Sequence, residues 1–165
     1  MSTTALTHPE TAGFPALSAR TLATIIVAGC IATVAFDLFG QAISPMLGFA
    51  SLAPIPLATR SWQALFGDAY GPGGQLLNYI AGVIAYPIGW MFIWRPAMER
   101  IAPQLNWFVS ATLYGVGLWV FAVYVMAHLV AGNSAFLGFI QLTWVALARH
   151  ILFAWVIAFV VRLRT

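Results

Sequence analysis

Seven polar or ionisable side chains stand inside otherwise apolar stretches of this sequence: Asp37, Gln41, Asn78, Tyr79, His128, Arg149 and His150. Such groups are costly at membrane depth and mark either a satisfied internal network or a working site. Three chemistries are open to them. Asp37 and Arg149 can form an ion pair that fixes helix register, with the histidines and Asn78 satisfying their neighbours. The same groups can line a ligand or proton-relay site, because histidine titrates near neutrality. Haem between His128 and His150 is a further alternative, and it requires both rings at one depth. Otherwise no cofactor and no metal is expected. The sequence holds no carboxylate pair, no Ser–His–Asp set and no Gly-rich phosphate loop, so nothing in it demands an enzyme. Gly71-Pro72-Gly73-Gly74 reads as a flexible turn.

These residues need a lipid-embedded framework. Of 165 residues, 62% are hydrophobic and 7% charged, whereas a soluble domain carries about 25% charged residues. So few charges cannot cover a water-facing surface. The net charge of +3 comes from scattered Arg residues, too dispersed for a nucleic-acid face. The single cysteine, Cys30, excludes an internal disulfide and a cysteine-based zinc site. Val27-Ala28-Gly29-Cys30 resembles a lipoprotein cleavage box, but the apolar run continues through Phe39, which fits a signal anchor.

A membrane-spanning helix needs about 20 apolar residues. Four runs qualify, at about 21–43, 76–94, 107–131 and 144–161, giving an all-α membrane four-helix bundle over 21–165. Residues 1–20 read as a disordered cytoplasmic arm with His8 idle on it. The start of the fourth span is ambiguous. A short interfacial piece near Phe136 to Thr143 followed by a span from Trp144 is favoured over one long tilted helix. The long first loop, Ser44 to Gln75, is rich in Pro and Gly and also apolar, which predicts packing against the bundle. Ser61 to Phe66 suits a short interfacial helix with Ser61 as its cap. Pro87 is expected to kink the second span. Pairs of small residues four apart, such as Gly29 and Thr33 or Ala111 and Gly115, suit close helix contacts.

Arg20, Arg95, Arg100, Arg162 and Arg164 share one side if the termini are together, while Arg60 lies opposite. The bias predicts a bacterial inner-membrane protein with both termini cytoplasmic. Trp62, Trp90, Trp94, Trp107 and Trp144 then fall near span ends as belt residues. At about 1.5 Å per residue, Asp37 lies about 10 Å from the periplasmic end of its span. His128, Arg149, His150, Gln41, Asn78 and Tyr79 fall within one or two turns of the same side. Every span therefore offers a polar group to one periplasmic-side layer.

The layout resembles the YagU-like family of small bacterial inner-membrane proteins over about residues 22 to 164. The features that carry it are Arg60-Ser61 in a Pro-rich first loop, Asn78-Tyr79 opening the second span and Val125-Met126-Ala127-His128 closing the third. Arg149-His150-Ile151-Leu152-Phe153-Ala154-Trp155 in the fourth, followed by Arg162 and Arg164, completes the set. The chain lacks that family's acidic C-terminal extension and has a different first span. The resemblance implies a four-helix topology and a link with acid tolerance, but no mechanism. The expected role is thus structural, regulatory or acid-stress related. Alternatives are an accessory subunit of a respiratory or photosynthetic membrane complex, or a proton-coupled or small-solute transporter working as an oligomer. Expected partners are the lipid bilayer and other membrane subunits or a second copy, and no nucleic acid.

Overall fold

The computed structural model of the protein describes residues 15–67 and 70–165. His8 and most of the expected N-terminal arm fall outside the described residues. Among those described, all regular structure is helical. In chain order the long elements are α1 (Ala19–Met46), α2 (Ile55–Phe66), α3 (Gly71–Ile101), α4 (Trp107–Val130) and α5 (Gln141–Arg164). All but α2 are long and apolar enough to cross a membrane.

Local chemistry explains where these helices begin and end. Ser18 caps α1 by accepting the Thr21 N–H at 3.1 Å, and Asn106 caps α4 by accepting the Phe108 N–H at 2.9 Å. Gly67 closes α2 in the left-handed region at φ 73°, and its N–H reaches the Gln63 carbonyl at 2.8 Å. Ser61 is not a cap; it lies inside α2 and is buried.

Two helices run further than the prolines suggest. α1 continues past Ser44-Pro45, and α3 continues past Arg95-Pro96. Pro45, Pro87 and Pro96 each remove a donor, and a wide π turn precedes each of them, at Phe39–Ile43, Ile80–Ala85 and Gly89–Trp94. α3 also begins earlier than expected. The Gly71 to Gly74 run is its first turn, with Pro72 near the start, where its missing N–H is harmless. Gly73 packs under Trp62, and Gly74 packs on Thr59 of α2.

α1 packs on α3 and α5, α4 packs on α5, and α2 lies against α3 and α4. α5 is the most enclosed of the four long helices. Small residues set these approaches, as close packing in lipid requires. At Gly29 a Cβ would run into the Val83 carbonyl of α3, and at Gly115 it would lie 2.6 Å from the Ile151 Cα of α5. Trp90 departs from the expected belt. It is buried, with its ring 5.4 Å from Tyr114. Gly89 leaves room for the Tyr114 hydroxyl, which donates to the Tyr86 carbonyl at 2.7 Å.

The two ends of the molecule differ. At one end Arg20 Nη2 donates to the Arg164 carbonyl at 2.7 Å, and the Arg162 guanidinium lies 5.7 Å from the Trp107 ring centre. Arg95 Nη1 reaches Thr165 Oγ1 at 3.4 Å. The opposite end carries α2 and the turn Ala135–Phe139. Phe136, Leu137 and Phe139 have φ of 48°, 53° and 55°, a left-handed run that non-glycine residues rarely adopt. Thr143 holds it by donating from Oγ1 to the Phe136 carbonyl at 2.7 Å. This turn separates α4 from α5, which begins at Gln141 rather than at Trp144.

Candidate functional site

Pro45 has its largest effect one turn back in α1. In the π turn the Ser44 N–H bonds to the Phe39 carbonyl. The next donor in that register would be the N–H that Pro45 lacks, so the Gly40 carbonyl is left for another partner. The connection after α1 folds back and supplies one: the Leu52 N–H donates to the Gly40 carbonyl at 2.9 Å. The Leu52 carbonyl in turn accepts from Arg149 Nη1 at 2.8 Å. A Cβ at Gly40 would lie 2.8 Å from the Leu52 oxygen and 3.0 Å from Arg149 Nη1, so the contact needs a glycine there. Ser44 completes the fold-back, donating from Oγ to the Ala50 carbonyl at 2.8 Å.

Arg149 is 4% exposed, and its guanidinium carbon sits 3.9 Å from the Phe36 ring centre. A desolvated guanidinium over an aromatic face is a favourable arrangement. Arg149 Nε has no hydrogen-bond partner among the described residues. Asp37 is near enough to act on Arg149 electrostatically, and Gln41 sits beside the Asp37 carboxylate. Among the described residues, however, no ion pair joins Asp37 to Arg149, and Asp37 Oδ1 has no hydrogen-bond partner.

His150 is also 4% exposed. Its Nδ1 lies 2.6 Å from the Ala146 carbonyl of its own helix. A carbonyl oxygen can only accept, so Nδ1 carries a proton, and it is the Nε2 atom that bears the lone pair when the ring is neutral. The Phe36 ring meets the imidazole edge-on at 5.0 Å.

Arg149 and His150 form part of the wall of a cavity of about 360 Å³. α1 contributes Thr33 and Phe36, α2 contributes Ser61, α3 contributes Asn78 and Tyr86, and α4 contributes Met126. Thr33 Oγ1 and Ser61 Oγ are buried without a hydrogen-bond partner among the described residues. Two of the π turns, at Ile80–Ala85 and Phe121–Val130, border the cavity; such turns occur frequently at functional sites.

The seven residues singled out in the sequence thus divide. Asn78, Arg149 and His150 line the cavity. Asp37 and Gln41 lie behind Arg149, and Tyr79 is 51% exposed on the outer face of α3. His128 belongs to a separate group at the end of α4. Its Nδ1 is 2.7 Å from the Asn133 carbonyl. The Asn133 side chain accepts from Arg60 Nη1 at 3.0 Å and donates to the Ala127 carbonyl at 3.0 Å. His128 and His150 therefore serve different surroundings, the first closing a turn and the second facing the cavity. No group of three metal-binding side chains occurs among the described residues. Sequence reading missed Ser61, Phe36 and Tyr86 as site residues. Hydroxyl and aromatic groups in apolar helices are common, and no spacing marks the ones that converge.

Among the described residues lining the cavity, no nucleophile is hydrogen-bonded to a base. The cavity can hold a molecule by its oxygen or nitrogen atoms within an apolar surround. Compared with protein-family models, with characterised proteins and with solved structures, the chain matches none.

Proposed function

We propose that this chain is a non-catalytic, multi-pass protein of the bacterial inner membrane, a four-helix bundle with its first loop folded back on the helices and both termini cytoplasmic. Its role is accessory or regulatory, exerted by holding a lipid-soluble molecule in the cavity beside Arg149 and His150. One observation carries this reading: all five helices contribute to the wall of the cavity, and three of its lining residues, Thr33, Ser61 and Arg149, each have a buried polar atom with no partner among the described residues. Buried polar groups are normally paired, so unpaired ones beside a cavity suit a ligand. The Arg-rich end supports a cytoplasmic position for the termini. The likeness to the YagU-like family suits the same topology. The working partners are lipid and other membrane subunits or a second copy.

Co-isolation tests the accessory role. Tagged chain is extracted from native membranes in a mild detergent and resolved by native electrophoresis. The reading expects a discrete complex with other membrane subunits, weakened by Ala122→Trp, which fills the cavity. Recovery of an uncomplexed chain in every mild detergent would count against an accessory role.

A further inference from the structure

We propose that the cavity takes the head ring of a lipid-soluble quinone or its quinol, held by the ring oxygens. This rests on the reading of the cavity as a ligand site and names the ligand's chemistry. The role is binding, with no redox step.

Shape is the first argument. At about 360 Å³ the cavity lies at the small end of ligand sites, which run from about 300 to 1,000 Å³. It suits one ring rather than a pair of acyl chains. Aromatic groups line it: Phe36 meets His150 at 5.0 Å and Phe153 at 5.7 Å, and Tyr86 meets Phe153 at 5.7 Å, all edge-on. A wall rich in aromatic side chains packs favourably against a flat ring. The aliphatic remainder of the wall suits a hydrocarbon tail leaving toward lipid.

Hydrogen-bonding capacity is the second argument. Ser61 and Thr33 are 1% and 6% exposed, and rotation about one side-chain bond turns either hydroxyl. Both can donate to a carbonyl oxygen. His150 offers the complementary function, because its Nε2 lone pair can accept from a hydroxyl. Donors on α1 and α2 with an acceptor on α5 match a ring bearing a carbonyl in one state and a hydroxyl in the other.

Charge is the third. Arg149 is already committed to the Leu52 carbonyl and the Phe36 face, with Asp37 nearby. Nη1 and the face of the guanidinium are thus occupied, and the nearby Asp37 offsets part of its charge, which favours a neutral oxygen-bearing head over a carboxylate or phosphate.

The test uses the full chain in phosphatidylcholine nanodiscs, titrated calorimetrically with decylubiquinone, decylubiquinol, decanoate and decane. The expected result is binding of the first two. Ser61→Ala should weaken the quinone about tenfold, and His150→Phe should weaken the quinol about tenfold, as loss of one buried hydrogen bond implies. Thermal melting checks that each variant is folded. Because a variant can fail to fold, the unaltered chain is also photolabelled with an azidoquinone, which should mark peptides from α2 and from residues 149–153. Binding of decanoate without quinone would overturn the ligand class and leave the cavity reading standing. Decane binding as tightly as quinone, folded variants that bind normally, or labelling elsewhere would overturn the class as well. Failure of every probe to bind would overturn both readings.

Discussion

Arg149 Nη1 donates to the Leu52 carbonyl at 2.8 Å, joining residues 97 positions apart in the sequence. The bond ties the most enclosed helix to the segment that folds back after α1. Leu52 is itself anchored to the Gly40 carbonyl through its N–H. A chain of backbone groups thus runs from α1 to the Arg149 guanidinium, which lines the cavity.

Arg149→Met should release this segment. It removes a charged hydrogen bond worth about 2 kcal/mol and leaves the Leu52 carbonyl without its donor. Hydrogen exchange should show the amide of Leu52 losing protection while the α4 amides near Trp107 keep theirs. Equal protection of Leu52 in the variant would show that the tether does not hold the loop.

Gly115 and Gly117 make a paired test of helix packing. Gly115→Ala brings a Cβ to 2.6 Å from the Ile151 Cα and should destabilise by about 1–3 kcal/mol, as overpacking does. Among the described residues, nothing lies within 4 Å of the corresponding position at Gly117. Gly117→Ala should be neutral or stabilise by about 0.5–1 kcal/mol. Thermal melting in detergent separates the two, and equal melting temperatures would contradict the α4–α5 contact.

His128 should be structural. His128→Ala removes the bond to the Asn133 carbonyl and should cost about 1 kcal/mol without changing ligand binding at the cavity. Asn133→Ala should cost more, because its side chain bonds both Arg60 and the Ala127 carbonyl. A His128→Ala variant that keeps its melting temperature but loses cavity binding would show that the two groups are coupled.

Orientation is testable by labelling. In a Cys30→Ser background, Ser51→Cys should react with an impermeant maleimide in cells whose outer membrane alone is opened. Thr165→Cys should react only after the inner membrane is opened. The reverse pattern would invert the topology.

The four apolar runs were legible because lipid imposes a length and a composition that sequence displays directly. So were the small residues at Gly29 and Gly115, since tight helix contact in lipid leaves few alternatives. The cavity was only partly legible. Arg149, His150 and Asn78 stand out as polar residues in apolar runs, but their separation from His128 depends on the Asn133 turn. The Arg149–Leu52 bond arises from a backbone carbonyl, which carries no sequence signal. The extension of α1 past Pro45 was hidden for a similar reason, since a π turn lets a helix absorb a missing donor.

Native mass spectrometry of the gently extracted chain is the most direct test of the central claim, that the cavity holds a lipid-soluble molecule. The account predicts a non-covalent adduct of one small organic molecule on the unaltered chain and its loss in Ala122→Trp, with the variant still folded by circular dichroism. An adduct that persists at equal occupancy in the filled variant, or no adduct from native membranes at all, would contradict it.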